Sequence, residues 1–91
     1  MYDMINMIQF EDRQKTKILR ALEKADKNKE VLSCKQMSKK TNIPFTSVRG
    51  RTSELRQNGM VEATTDATGA YGFFKITEDG LKYLGKHIIE V

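Results

Sequence analysis

The stretch SCKQMSKKTNIPFTSVRGRTSELRQNGMVEA, Ser33 to Ala63, decides the fold. It opens on complete helix punctuation. Ser33 at the N-cap and Gln36 at the third helical position form a capping box, in which each side chain takes up a backbone N–H at the helix start. Leu32 before the cap and Met37 at the fourth position supply a hydrophobic staple. This helix is expected to run to about Thr41. Asn42 then tolerates the left-handed conformation that a tight turn requires. Ile43 follows, and Pro44 suits the entry to another helix because its φ is already set. That next helix, about Phe45 to Gln57, places Val48, Thr52 and Leu55 on one inward stripe. Asn58-Gly59 ends it, since Gly59 reaches positive φ at a C-terminal cap without a Cβ penalty.

Upstream, Asp12 is expected to cap a helix through RQKTKILRALEKA, with Ile18, Leu19, Leu22 and Ala25 on one face. The polar run Asp26 to Glu30 reads as a loop, and Glu30-Val31-Leu32 as a short strand. Downstream, Met60 to Thr65 reads as a strand, Asp66 to Ala70 as a turn containing Gly69, and Tyr71 to Ile76 as the returning strand. Phe74 and Ile76 share one face of that strand, with Phe73 and Lys75 on the other. Thr77 caps a last helix whose stripe is Leu81, Leu84, Ile88 and Val91. The predicted order is helix, short strand, helix, turn, helix, hairpin, helix.

A chain of 91 residues has room for one domain with a modest core. Hydrophobic residues make up 38% and charged residues 31%, ordinary values for a globular protein. No stretch approaches the roughly 20 apolar residues of a membrane span. Met1 to Phe10 is apolar but lacks a basic segment before it and a small-residue cleavage site after it, so no signal peptide is expected. A cytoplasmic location follows. The single Cys34 cannot form an internal disulfide, and one His with one Cys is too few for a structural zinc site. Cys34 is read as a packed residue rather than a redox centre.

The net charge of +4 is unevenly placed. Residues 35–56 hold Lys35, Lys39, Lys40, Arg49, Arg51 and Arg56 against Glu54 alone, six minus one or +5. Residues 1–34 carry seven basic and six acidic side chains, and residues 57–91 carry three and five. A surplus confined to one central segment suits a polyanionic partner, though charge alone equally fits a solvated helix face.

The order of elements, with two helices joined by a short turn and followed by a hairpin, resembles the winged helix–turn–helix superfamily of DNA-binding proteins. The resemblance covers about residues 12–86. Ser38 falls where the family keeps a small residue at the helix crossing, and Met37, Ile43, Val48 and Leu55 fall at its core positions. Ser47-Val48-Arg49 through Leu55 to Gly59-Met60-Val61 is similar to the recognition helix and first wing strand of GntR-like and MarR-like bacterial regulators. Ile76-Thr77-Glu78-Asp79-Gly80-Leu81 resembles the junction into the closing helix. The implied fold is α+β, mainly α, with a three-helix core, a β-hairpin wing and a C-terminal helix. Three departures stand out: Asn42 replaces the usual turn glycine, Arg51 and Thr52 replace apolar residues, and the wing tip from Asp66 to Tyr71 has no Lys or Arg.

What the resemblance implies is double-stranded DNA as the partner, with the helix 45–57 in the major groove and its N-terminal residues near base edges. Thr46, Ser47, Arg49 and Gly50 occupy that end. Arg49 is the candidate for base readout, since a guanidinium bonds guanine O6 and N7 together. Gly50 lets the helix sit close to DNA, or is simply a weak spot in an exposed turn. Arg51 and Arg56 are expected to touch phosphates or to cover the core with their stems. Lys35, Lys39 and Lys40 are candidate backbone clamps. In the wing, Thr64, Thr65, Thr68 and Lys75 offer further contacts. Tyr71 and Phe73 are expected to pack the hairpin, with a sugar or base contact as the alternative.

No catalytic constellation is evident: His87 has no partner nearby in sequence, and Gly69-Ala70-Tyr71-Gly72 matches neither a dinucleotide nor a P-loop pattern. No enzyme activity, cofactor or small-molecule ligand is expected. Met1, Met4, Ile5 and Ile8 form an apolar stripe that, with the last helix, packs on the domain or supports a homodimer. The expected organisation is an apolar extension over 1–11, the winged domain over 12–77 and a packing or dimerisation helix over 78–91. The function that follows is a sequence-specific transcriptional regulator. The rivals are a protein-interaction module in a replication, packaging or host-takeover assembly, favoured by the uncharged wing and apolar ends, and a non-specific DNA binder.

Overall fold

A computed structural model describes the backbone of residues 2–90 and the side chains of residues 13–85. The stripe of Met1, Met4, Ile5 and Ile8, together with His87, Ile88 and Val91, lies outside those side chains. The elements are α1 (Tyr2–Lys27), β1 (Leu32–Ser33), α2 (Cys34–Thr41), α3 (Phe45–Gln57), β2 (Val61–Thr64), β3 (Phe73–Ile76) and α4 (Glu78–Glu90). This is the expected order, and the architecture is that of a winged-helix type: mainly helical, with a small antiparallel sheet. Among the described residues no helix is long and apolar enough to cross a membrane.

The three strands and α1 begin elsewhere than expected: β1 at Leu32 rather than Glu30, β2 at Val61 rather than Met60 and β3 at Phe73 rather than Tyr71. Asp12 does not cap α1; the helix runs through it from Tyr2. Residues 2–11 hold neither glycine nor proline, so nothing in that segment interrupts the ladder of helical hydrogen bonds.

The core forms where four helices and the sheet turn their apolar sides together. Ile18, Leu19, Leu22 and Ala25 of α1 meet Leu32, Met37, Ile43, Val48, Leu55, Val61, Ile76 and Leu84, all buried. The staple pair Leu32 and Met37 belongs to this cluster. The sheet order is β1-β3-β2, both pairings antiparallel, with Leu32 opposite Phe74 and Val61 opposite Ile76. That register turns Val61 and Ile76 inward together. In α4, Leu84 is buried, whereas Leu81 is 40% exposed and stands outside the core.

The punctuation works as anticipated. Ser33 Oγ accepts the Gln36 N–H at 3.2 Å, and Gln36 Oε1 accepts the Ser33 N–H at 2.9 Å. At the end of α3, Gly59 has φ +76°, the Gly59 N–H donates to the Arg56 carbonyl at 3.0 Å, and the Met60 N–H donates to the Leu55 carbonyl at 2.9 Å. This pair of bonds is a Schellman stop. Thr77 then links that stop to α4: its hydroxyl donates to the Gly59 carbonyl at 2.6 Å and accepts the Gly80 N–H at 3.2 Å.

Gly80 was legible only as part of the junction motif, and the structure supplies its reason. A Cβ there would collide with the Met60 carbonyl oxygen and lie 2.6 Å from Ile76 Cγ1. The Met60 carbonyl also accepts the Thr77 N–H at 3.0 Å, so it cannot withdraw without losing that bond. Gly80→Ala is therefore expected to lower unfolding free energy by about 1–3 kcal/mol in a denaturant titration. An unchanged midpoint would contradict this close packing.

Candidate nucleic-acid interface

The geometry of the candidate site is set at the turn between α2 and α3. Asn42 is left-handed, φ 60° and ψ 28°, and its N–H donates to the Ser38 carbonyl at 2.9 Å. The Ser38 hydroxyl donates across the turn to the Ile43 carbonyl at 2.6 Å. The Thr41 hydroxyl donates to the Met37 carbonyl at 2.7 Å and accepts the Ile43 N–H at 3.3 Å. The turn thus satisfies its own polar groups while Ile43 enters the core. Smallness at Ser38 was visible in the sequence; its bond to Ile43 was not.

This turn delivers α3 with Val48, Thr52 and Leu55 buried and Thr46, Arg49 and Gly50 exposed. Ser47 is half-buried between the two faces. The Arg49 guanidinium lies over the Phe45 ring, 5.9 Å from its centroid, one helical turn back. Phe45 is itself 45% exposed, so the contact braces Arg49 at the surface. A Cβ on Gly50 would meet nothing within 4 Å. The fold itself therefore gives no steric reason for glycine at that position.

The basic side chains grouped by sequence do not form one patch. Arg51 turns toward α1, where Nη1 reaches Glu54 Oε1 at 2.7 Å and Nε reaches Gln14 Oε1 at 3.4 Å. Lys15 of α1 closes the same network on Glu54 at 3.0 Å. The Lys15 bond, with the Lys15 and Arg51 charges, holds the Glu54 carboxyl below its ordinary range. Lys75 faces Glu62 across the hairpin at 3.9 Å. Lys35 and Lys39 are exposed on α2. Lys40, also exposed, lines a separate groove of about 510 Å³ against α1, shared with Lys17, Arg20 and Lys24. Those three α1 cations were missed, although their spacing along one helix face was the available signal.

Arg49 and Arg56 instead flank a cleft of about 130 Å³ bounded by Cys34, Thr52, Ser53 and Phe74. Burial pushes the Cys34 thiol above its usual value, while the Thr52 hydroxyl and the Arg49 charge act against that rise. Cys34 therefore stays a neutral thiol near pH 7, in keeping with a packed residue. The Thr52 hydroxyl is buried, and the Cys34 thiol is its polar neighbour.

The wing tip is built around a carboxylate. Asp66 Oδ1 accepts the Thr68 hydroxyl at 2.6 Å and the N–H groups of Thr68 and Ala70 at 2.9 Å each. The Thr68 donor is thus already engaged. Tyr71, expected to pack the hairpin, is 88% exposed and packs nothing, because the turn closes through Asp66 rather than through an aromatic contact. Phe73 is half-buried, as is Lys75. The Thr68 hydroxyl and the backbone donors hold the Asp66 carboxyl below the usual aspartate value of about 3.9. A depressed folded value contributes stability above the unfolded value that is lost as pH falls through the folded one. Stability measured from pH 6 downward is expected to fall below about pH 4, and Asp66→Asn is expected to flatten part of that descent. An identical profile in the variant would contradict the turn as described.

No protein-family model matches this chain, and no curated protein matches it. Among solved structures the chain resembles Bordetella bronchiseptica BpsR, from work on how 6-hydroxynicotinic acid regulates its DNA binding. The TM-score is 0.65 at 20% identity, over 80% of this chain and 50% of BpsR. The chain thus spans half the length of that neighbour. At this identity the likeness is one of fold, and it establishes a winged-helix-type α+β architecture.

Proposed function

We propose that this chain is a non-enzymatic, sequence-specific binder of double-stranded DNA acting in transcriptional regulation, with α3 reading the major groove. The observation that carries this reading is the outward face of α3. Thr46, Arg49 and Gly50 stand exposed on a helix whose angle is locked by the Ser38 turn, and Arg49 is braced over Phe45. Among the described residues no carboxylate pairs with Arg49. A guanidinium held out in this way suits bidentate contact with guanine. Lys35 and Lys39 then clamp the backbone, Ser47 and Arg56 add contacts beside Arg49, and Arg51 acts mainly through α1. The BpsR fold likeness supports the same reading, as does the GntR-like and MarR-like pattern from Ser47 to Val61.

We further assign residues 12–77 as the DNA-binding unit, flanked by 1–11 and 78–91. The homodimer expected through the terminal helices places two copies of α3 one DNA turn apart, a spacing of roughly 34 Å. Leu81, 40% exposed on α4, is the described apolar side chain that such an interface would cover. The ligand control of BpsR shows that one fold neighbour couples DNA binding to a small molecule. In this chain protein concentration or a partner is the proposed determinant of occupancy. A protein-interaction role is the second reading, favoured by the exposed Tyr71 on an acidic wing tip.

Binding to genomic and random duplexes across a salt series tests the proposal. The log–log slope is expected to be roughly −3 to −6, for about four to six phosphate contacts. Arg49→Ala should relax sequence preference, with a loss of about 1–3 kcal/mol on the preferred site. Lys39→Ala should weaken all sequences alike. No binding at low salt would favour the protein-interaction role, and equal affinity for every duplex would favour coating. Gly50→Ala separates helix strength from close approach: it should raise stability by roughly 1 kcal/mol while weakening DNA binding. Unimpaired binding by that variant would remove Gly50 from the interface.

A further inference from the structure

The groove between α1 and the end of α2 carries charge that the α3 face does not use. Lys17, Arg20 and Lys24 recur at about one-turn spacing along α1, and Lys40 of α2 joins them around a volume of about 510 Å³. All four are exposed, and among the described residues no carboxylate pairs with any of them. Ala21 and Ala25, one turn apart on α1, keep the floor low between these long side chains. Asn28 and Glu30 line the groove beyond the C-terminus of α1. Asn28 Nδ2 donates to the Lys24 carbonyl at 3.3 Å, which leaves Oδ1 as an acceptor, and the Glu30 carboxylate is a second one. The groove is thus cationic along its length and accepting at one end. It lies across the core from the α3 face. Ile18 and Leu22 of α1 and Val48 and Leu55 of α3 point into the same buried cluster, and Gln14 meets Arg51 where the two helices touch. One straight duplex on the outward face of α3 therefore does not lie along the outward face of α1.

We propose that this groove docks an extended acidic peptide segment of a partner protein. Its carboxylates pair with Lys17, Arg20, Lys24 and Lys40, and its backbone N–H groups bond Asn28 and Glu30. The four cations suit any polyanion, and the two acceptors decide between them. A phosphodiester strand presents acceptor oxygens and has no backbone donor for Glu30, whereas a peptide alternates N–H and C=O. From Lys17 to Asn28 the groove follows α1 for about 16 Å, the reach of roughly five extended residues. In such a segment every second side chain falls on one side, at intervals of about 6.6 Å, which the long Lys and Arg stems can match. This deepens the reading that a partner sets occupancy, yet it does not depend on DNA binding, because peptide docking is measurable with no duplex present.

The test is titration of the full chain, at low ionic strength, with an acetylated and amidated peptide of four Glu-Ala repeats, followed by amide chemical shifts. Saturable shifts at residues 20–30 and 40–41, with a dissociation constant on the order of 100 µM, are expected, and residues 46–50 stay unmoved. The matching Gln-Ala peptide should bind at least about tenfold more weakly. Lys24→Ala should weaken the acidic peptide several-fold, as loss of an exposed ion pair does, and Lys82→Ala on α4 should leave it unchanged. Glu30→Ala separates docking from diffuse attraction. Removing a negative charge tightens diffuse attraction, whereas removing an acceptor from a docked backbone weakens binding several-fold. Tighter or unchanged binding by Glu30→Ala would overturn the proposal. So would no saturable response, equal binding of the Gln-Ala peptide, or equal weakening by Lys24→Ala and Lys82→Ala. A short duplex is titrated separately. Saturable shifts at residues 17–28 as large as those from the peptide assign the groove to DNA and overturn peptide docking, while residues 17–28 unmoved by the duplex uphold it. A duplex that perturbs no residue counts against the DNA reading and leaves the peptide result standing.

Discussion

The Ser38 hydroxyl reaches the Ile43 carbonyl at 2.6 Å across a turn that Asn42 makes in the left-handed region, and the rest of the interface depends on that bond. Three residues separate α2 from α3, so there is little slack in which the two axes can wander. Burial of Ile43 anchors the turn from below, and the Thr41 hydroxyl occupies the remaining polar groups. A helix presented this way arrives with its outward face already aimed. Preorganisation of that kind spares a binding partner the entropy of ordering the surface.

The ends of α3 are held by different means, and this shapes what each half can do. The N-terminal turns carry Thr46, Arg49 and Gly50 outward, and among the described residues no carboxylate pairs with Arg49. Further along, Arg51 and Glu54 tie the helix to Gln14 and Lys15 of α1. At the C-terminus the Schellman stop at Gly59 passes directly into the Thr77 cap, so α3, the hairpin and α4 share one junction. The wing tip is acidic, and Asp66 uses its charge to hold the turn. The exposed positive charge lies instead on α2, on α3 and along the α1 groove around Lys17, Arg20 and Lys24.

Much of this fold is legible in the sequence because local rules and the global packing agree. The capping box at Ser33, the left-handed Asn42, Gly59 at the end of α3 and Thr77 at the start of α4 are each stated by residue type and spacing. The start of α1 was not, because a plausible cap at Asp12 lies inside a segment with nothing to stop the helix. Gly80 needed coordinates, since its neighbours Met60 and Ile76 come from other elements. The candidate site was legible as a set of residues but not as a surface. Sequence spacing cannot tell that Arg51 faces α1, that Lys40 joins Lys17, Arg20 and Lys24, or that Arg56 shares a cleft with Cys34. Tyr71 illustrates the same limit: hairpin statistics predict packing, while an Asp66-centred turn leaves the ring in solvent.

The central claim is that the outward half of α3, aimed by the Ser38 turn, is where DNA is met. Backbone amide shifts of the full chain, recorded as a duplex from the preferred pool is added, test it most directly. The account predicts that the largest perturbations fall on residues 44–53 and on α2, with smaller ones at the wing tip and little change in α4. Perturbations centred on α4 or on the α1 groove around Lys24, with residues 44–53 unmoved, would contradict it.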